Sequence, residues 1–390
     1  MQLTSQRATR WTRNVPFAPQ HHAVAYQLAL QDQHAFHGLF PLGVPDLTSF
    51  ISRLTASTSL IYSVIGVKSG SVLGIVYLYE WNMQQQVAKC QIIMRRASRG
   101  TGLGIIAGRS FLAEVFANYN LRKVLFLVEG WQEHAIRSGI GAIFHEEGRL
   151  RGHSYHAGQW HDQLLLSVSR GQELSLEDRQ RTCVKQTPKT SDDLAVHSGE
   201  GSRWSGIGNY GVLEGPHIRL VAAEATHANF LYSLTVDEEV GARWRFGGAV
   251  VGVEEFQRRS AQGVFAEFVA VFRRSGQPFG HVVAYEADPF HAHVYLGGAV
   301  VDRVQRTGYP LEAFAVFMKY LFSEWNFRKI YMDLPEYNRP QVFSAGLIPG
   351  VVEEARLREF AYHKGEWWDR SILSVSRTFF ESSVGSSSDG

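Results

Sequence analysis

The chain repeats itself, and this constrains its fold more than any other feature. At an offset of 206 residues, Ser69-Gly70 falls on Ser275-Gly276, Gly74 on Gly280, and Tyr79-Glu80 on Tyr285-Glu286. The same offset places Leu121-Arg122-Lys123-Val124 on Phe327-Arg328-Lys329-Ile330. One residue is then gained. At offset 207, EEGRLRGHSYHAGQWHDQLLLSVSR (146–170) lies over EEARLREFAYHKGEWWDRSILSVSR (353–377) with 15 identities in 25 positions. A repeat of that length is a tandem duplication of whole domains and far too long for a solenoid. Residues 1–170 and 218–380 are therefore read as two domains. The polar segment 171–217 is a linker whose tail contributes a strand, and the Ser/Gly-rich end, 381–390, is read as a disordered tail.

Within the first copy, HHAVAYQLALQDQHAF has helical apolar spacing, and SLIYSVIGV and VLGIVYLYEW read as strands joined through KSGS. VAKCQIIMRR is a third strand, IIAGRSFLAEVFANYN a helix, LRKVLFLVE a buried strand, WQEHAIRSGIG a short helix or loop, and SYHAGQWHDQLLLSVS a closing strand pair. The order is helix, three strands, helix, strand, helix, strand. This mixed α/β order recurs in the second copy, where Leu311, Phe314, Ala315, Met318, Leu321 and Phe322 mark the helical stripe.

Composition excludes several classes. With 39 Lys and Arg against 37 Asp and Glu, no charge excess points to nucleic acid or anionic lipid. Cys90 and Cys183, without a CxxC, argue against a structural zinc site or a disulfide framework. No apolar run reaches the length of a signal h-region or a bilayer span, so a cytoplasmic protein is expected. No His pair has metal-ligand spacing with a carboxylate, and His21-His22 is placed on a helix surface.

The most informative local feature is Arg99-Gly100-Thr101-Gly102-Leu103-Gly104, between a strand and a helix. Glycines let backbone amides approach a ligand without Cβ obstruction, and the helix start adds its positive dipole end. Neither GxxxxGK[ST] nor GxGxxG is present, so P-loop and dinucleotide fingerprints are excluded.

Arg-x-x-Gly-x-Gly after a strand and before a helix resembles the acetyl-coenzyme A loop of the GNAT superfamily of N-acetyltransferases. The closing run AIRSGIGAIFHEEGRLRGHSYHAGQWHDQLLLSVSR is similar to that superfamily's end, most of all to the branch that acetylates ribosomal-protein N-termini. The resemblance covers nearly all of both copies. It implies two tandem folds, each a splayed, mostly antiparallel sheet flanked by helices, with an acyl-coenzyme A held where the fourth and fifth strands part. Carried over by position, Arg99, Gly100, Thr101, Gly102, Leu103 and Gly104 would hold the pyrophosphate, and Ile93, Met94 and Arg95 would offer backbone to pantetheine. Copy two has Gln305-Arg306-Thr307-Gly308-Tyr309-Pro310 at this loop, with Pro for Gly, so it is expected to bind the cofactor weakly or not at all.

The superfamily's frequent acid is a Tyr after the fifth strand, preceded by an Asn. Here Gln132 and Gly139 stand at those positions in copy one, and Asn338 and Ala345 in copy two. Glu80 and Glu129, each at a predicted strand end, are then the catalytic candidates, with His134 weaker. Tyr155, His156, Trp160 and Asp162 recur in copy two as Tyr362, His363, Trp367 and Asp369, which favours a packing role. Trp81, Trp131, Trp204, Trp244 and Trp325 are not shared between copies and are candidates for a groove or an interface between the halves.

The expected function is transfer of an acyl group to a primary amine of a small molecule or peptide N-terminus, with no nucleic acid, membrane or metal involved and a homodimer compatible with the sequence. A non-catalytic acyl-coenzyme A sensor and an aminoacyl-tRNA-dependent peptide ligase are the alternatives.

Overall fold

The computed structural model describes residues 9–32, 36, 39–40, 43–171, 211–241, 244, 246, 248–338 and 350–385. Cys183, Trp204, Ala345 and most of the expected linker lie outside them.

The first half runs β1 (Thr12–Pro16), α1 (His22–Gln31), α2 (Leu47–Ser57), β2 (Thr58–Gly66), β3 (Val72–Asn82), β4 (Val87–Met94), α3 (Leu103–Asn118), β5 (Lys123–Glu129), α4 (Glu133–Ile136), β6 (His145–His156) and β7 (Gln159–Ser169). After β8 (Val212–Glu214), the second half repeats this as β9 (Ile218–Ala222), α5 (Ala228–Val236), α6 (Glu238–Gly241), α7 (Val253–Ser260), β10 (Val264–Phe272), β11 (Pro278–Asp288), β12 (His293–Val300), α8 (Tyr309–Glu324), β13 (Lys329–Pro335), β14 (Val352–His363) and β15 (Glu366–Ser376). The mixed α/β fold is thus present twice, and β8 supplies the strand expected from the linker's tail.

Three expectations are corrected. Each half begins with a strand, β1 or β9, hydrogen-bonded to its next strand. A second helix, α2, precedes β2, started by Asp46, whose carboxylate accepts the amides of Thr48 and Ser49 at 3.0 and 3.1 Å. The carboxy-terminal tail begins inside a helix, α9 (Arg377–Gly385), with Phe380 buried against the second core.

Among the described residues the fifteen strands form one sheet in the order β1-β2-β3-β4-β5-β7-β6-β14-β15-β13-β12-β11-β10-β9-β8, nearly a palindrome about the β6–β14 junction. That junction rests on the single pair Gly148↔Ala355. A Cβ on Gly148 would land on the Cα and Cβ of Ala355, so only glycine allows this approach.

Each half has a core on either side of its sheet. In the first, α3 packs Phe111, Val115 and Phe116 onto Val76, Leu78 and Cys90, while α1 and α2 pack Leu28, Phe50 and Leu54 onto Ile75, Tyr77 and Ile93. A further cluster joins the halves, bringing Val87, Leu125 and Leu150 against Tyr331, Ala355, Leu357 and Phe360. Two ion pairs related by the repeat flank it, the first buried and the second half-buried. Lys123 meets Glu147 at 2.6 Å and Glu147 also accepts the Arg358 amide, while Lys329 meets Glu354 at 2.7 Å and Glu354 accepts the Arg151 amide.

The recurring aromatic residues pack as expected. Tyr155 lies on Trp160 and Tyr362 on Trp367, and each Trp is capped by an arginine of the other half, Arg328 at 3.6 Å and Arg122 at 3.8 Å. Trp131 stacks on His156 at 4.5 Å, and Tyr337 repeats this on His363, so that position is an aromatic in both halves. His21 is not on a surface. It is buried, and its Nδ1 accepts the Ala18 amide at 3.2 Å just before α1. No helix among the described residues is long and apolar enough to cross a membrane.

Candidate functional site

The sheet parts at the same place in each half. Strands β4 and β5 run parallel and pair only from Val87↔Lys123 to Lys89↔Leu125, after which they separate, with β5 staying on β7 as far as Glu129↔Gln163. In the second half β12 and β13 likewise pair only from His293↔Lys329 to Tyr295↔Tyr331. Beyond these pairs, one edge of β4 has no strand beside it among the described residues.

Alternation decides which backbone groups face that gap. The Arg95 amide donates to Leu73 O on β3 at 2.8 Å, so residues 95 and 93 point toward β3, and Ile92 and Met94 point into the gap. This differs from the expectation for Ile93, whose backbone pairs with β3, and for Arg95, whose amide goes to β3 and whose carbonyl accepts the Ser98 amide at 2.8 Å. The Met94 carbonyl accepts Arg99 Nε at 3.0 Å.

The glycine loop closes the end of the gap. Gly100 and Gly102 have φ of +73° and +80°, in the left-handed region, and a Cβ on either would meet nothing within 4 Å. Gly102 opens α3. Thr101 Oγ1 ties back to Ser98 O at 2.7 Å, and the Ile106 amide closes the first helical turn onto Gly102 O. Among the described residues, the amides of Gly100, Thr101, Gly102, Gly104 and Ile105 donate to no backbone carbonyl. Free amides and a helix N-terminus therefore meet at this turn, with Arg95, Arg96 and Arg99 close by in sequence. Arg99 is partly neutralised by Asp32 at 2.8 Å, which fixes the side chain at the loop's edge. Leu103 and Gly104 form the first helical positions, and Gly104 sits close to Met94, 3.2 Å from a built Cβ to Met94 Cγ.

The second half lacks these features. Gly308 is right-handed, at φ −72° and ψ −14°, Pro310 has no amide, and the Thr307 amide is spent on Val304 O. Asp302 and Gln305 stand where Arg96 and Arg99 are in the first half. Tyr309 is packed on Phe272 at 5.1 Å rather than presented to a ligand.

The carboxylates gather on the opposite flank of the gap. Glu80 lies at a bulge ending β3, with φ of 48°, and Lys89 Nζ meets its Oε2 at 2.5 Å. Glu129 ends β5, and its Oε1 accepts Gln163 Nε2 at 2.8 Å. Both lie near the Tyr79 phenol, which burial first, then Tyr77 and Glu80, lift well above the usual range, so it stays protonated at neutral pH. Tyr79, Lys89 and Gln163 thus stand beside these two carboxylates and were not among the candidate residues read from the sequence. Tyr79-Glu80 recurring as Tyr285-Glu286 was the available signal. His134 is outside this group, exposed, with Nδ1 on Trp131 O at 3.0 Å. Gly139, at the expected acid's position, only closes a turn against Phe144. Cys90 is fully covered and its thiol is pushed up by burial, which removes it as a nucleophile. No cluster of three metal-ligating residues occurs among the described residues.

No family model matches the chain, and no curated protein matches it. Among solved structures, the spermidine N-acetyltransferase of Vibrio cholerae, in complex with CoA and spermine, is 17% identical over 43% of this chain and 99% of its own, with a TM-score of 0.38. A GNAT-family acetyltransferase from Bacillus anthracis is 18% identical over 42% of this chain and 98% of its own, TM-score 0.36. A GCN5-related N-acetyltransferase from Brucella melitensis is 22% identical over 44% of this chain and 80% of its own, TM-score 0.37. Each of these three likenesses extends over less than half of this chain.

Proposed function

We propose that the chain is an acyl-coenzyme A-dependent N-acyltransferase with two GNAT-like halves, in which only the first holds the cofactor and the acceptor is a primary amine. The observation that carries this reading is the contrast between the two loops. Gly100 and Gly102 form an open left-handed turn with free amides before α3, and the matching turn of the second half is right-handed and carries Pro310.

The residues present fit such a cofactor. The amides of Gly100, Thr101, Gly102, Gly104 and Ile105, with Arg95, Arg96 and Arg99, suit a diphosphate, and the gap-facing backbone of Ile92 and Met94 suits the amides of an extended arm. The cofactor supplies the activated acyl thioester. The chain's own residues orient the amine and manage protons. Glu129 at the end of β5 is placed to take a proton from an incoming ammonium, directly or through one water, and Tyr79 keeps its phenolic proton to donate. Glu80, exposed and paired with Lys89, is the weaker base.

The test is calorimetry of acetyl-coenzyme A on the full chain. Gly102→Val forces a β-branched residue to φ +80° and obstructs the amides, and should lose at least a hundredfold in affinity. Gly308→Val, at a right-handed position, should change affinity less than twofold. Unchanged binding by Gly102→Val, or loss confined to Gly308→Val, overturns the assignment. Tight binding without turnover on any amine supports the sensor in its place.

A further inference from the structure

Strands β2 and β3 separate β1 from the gap beside β4. Among the described residues β1 pairs with β2 alone, so it forms the margin of the sheet. Along β2, Tyr62 and Val64 pack under α3 while Ile61 packs with α1 and α2. Alternation then puts Ile65 on the α1 face, together with its partner Arg13 and with Val15. Helix α1 begins at His22, and beside its start this face holds a hollow of about 400 Å³. Val15 and Ile65 line it with apolar surface, Arg13, Gln20 and His21 with polar groups, and Gly70 brings the turn between β2 and β3 to its rim.

The polar groups of the hollow are unspent. Arg13 and Gln20 make no hydrogen bond or ion pair with any described residue. His21 is 7% exposed, and its Nδ1 accepts the Ala18 amide at 3.2 Å, which leaves the ring proton on Nε2. That Nε2 has no partner among the described residues and is not sealed from solvent, so it meets the hollow that the ring lines. Burial, then His22, lowers the His21 pKa, and the ring is a neutral N–H donor at neutral pH. The chain around it is basic. Residues 1–31 and 47–79 contain no Asp or Glu. The two acids between these stretches are engaged, Asp32 by Arg99 and Asp46 by the amides of Thr48 and Ser49. Lys68, in the same turn as Gly70, and Arg10 lie over the exposed Trp11 ring at 5.9 and 5.4 Å, and Trp11 stands two residues before Arg13.

We propose that this hollow is a binding site for a phosphate monoester, held by the Arg13 guanidinium, the His21 Nε2–H and the Gln20 carboxamide. A guanidinium takes two phosphate oxygens through its planar fork, and the imidazole and amide N–H groups supply donors for the third. Arg10 and Lys68 add to the field of Arg13, and the lining contains no carboxylate, so a dianion is favoured over a singly charged acid. Val15 and Ile65 present an apolar wall to the body of the ligand, and the volume is that of a small-molecule site. The site is separate from the loop before α3 and stands whether or not the chain transfers acyl groups.

The experiment titrates phenyl phosphate and benzoate into the full chain by calorimetry. Wild type is compared with Arg13→Gln, Arg13→Lys and, because the loop before α3 also presents free amides, Gly102→Val. Wild type should bind phenyl phosphate at least tenfold tighter than benzoate. Arg13→Gln should lose at least tenfold in affinity for phenyl phosphate, and Arg13→Lys should keep part of it. Arg13 is exposed, so both variants should melt at the wild-type temperature. Gly102→Val should change the affinity less than twofold. Absence of binding to wild type, undiminished binding by Arg13→Gln, or benzoate bound as tightly as phenyl phosphate overturns the proposal. Binding lost in Gly102→Val and kept in Arg13→Gln puts the anion at the loop and overturns it equally.

Discussion

At Gly100 the left-handed backbone, φ +73°, is what aims successive amides at one point. Alanine there has room for its Cβ but takes on the left-handed strain, so Gly100→Ala should lower stability by about 1 kcal/mol, read as a denaturant midpoint shift at constant slope. The two candidate bases separate for a similarly local reason. Glu80 is tied to a lysine at an exposed bulge, whereas Glu129 is half-buried at the end of the strand that borders the gap. Glu129→Gln should therefore lower kcat by roughly a hundredfold or more with the KM for acyl-coenzyme A unchanged, and Glu80→Gln by less than threefold. Steady-state kinetics on one amine decides between them, and the reverse ranking would make Glu80 the base.

Among the elements, what the sequence made legible was what repeats or alternates. Strands β2 to β5, helix α3 and the closing hairpins follow from periodicity and from the offset between copies. Helix α2 was missed because its start signal, Asp46, stands next to Pro45 in a stretch that reads as loop. Strand β1 was missed because five residues carry too little periodicity. The loop before α3 was legible as a glycine pattern, but which backbone groups face the gap depends on strand pairing, so the expected set Ile93, Met94 and Arg95 left out Ile92 and took in two residues whose amides face β3. One helix–strand contact shows how the copies diverged in matched pairs. In the first half Ile92 of β4 faces Gly108 of α3, and a Cβ on Gly108 would come 2.5 Å from Ile92 Cδ1. In the second half the large residue is on the helix, Phe314, against Gly298. Gly108→Phe alone should destabilise by several kcal/mol, and Ile92→Gly with Gly108→Phe should recover much of that, a coupling of about 1–3 kcal/mol in a double-mutant cycle. Simple additivity would mean that the two positions do not share this space.

For the whole molecule, the junction between halves has a symmetric frame filled unsymmetrically. The ion pairs Lys123–Glu147 and Lys329–Glu354 are copies of one another, yet Gly148 meets Ala355 at the axis. Two second halves would oppose Ala to Ala where even one Cβ already fills the space, so this geometry selects the unlike half. Farther from the axis, Phe360 packs in the cluster with Val87 and Leu125, whereas its counterpart His153 lies on His293 at 4.2 Å with Nδ1 3.0 Å from Tyr331 Oη. Burial, before any charge, holds both imidazoles neutral. It lowers His293 to about 4, with Asp288 opposing and His291 adding, and lowers His153 well below its ordinary value, with His293, His291 and Lys329 adding. Because the folded pKa lies below the unfolded one, the unfolded chain gains protons first as pH falls. The stability tied to these rings is then complete above about 6.5 and falls as pH drops below it, the share from His293 being lost by about 4. For His293 alone this is about 3 kcal/mol. His153→Phe with His293→Val copies the apolar packing of the other side and removes both titrations. Wild type should lose several degrees more of Tm than this double variant between pH 7 and pH 4.5, with the carboxylates common to both cancelling in the comparison. Parallel loss in the two proteins would show that the junction does not carry the acid sensitivity.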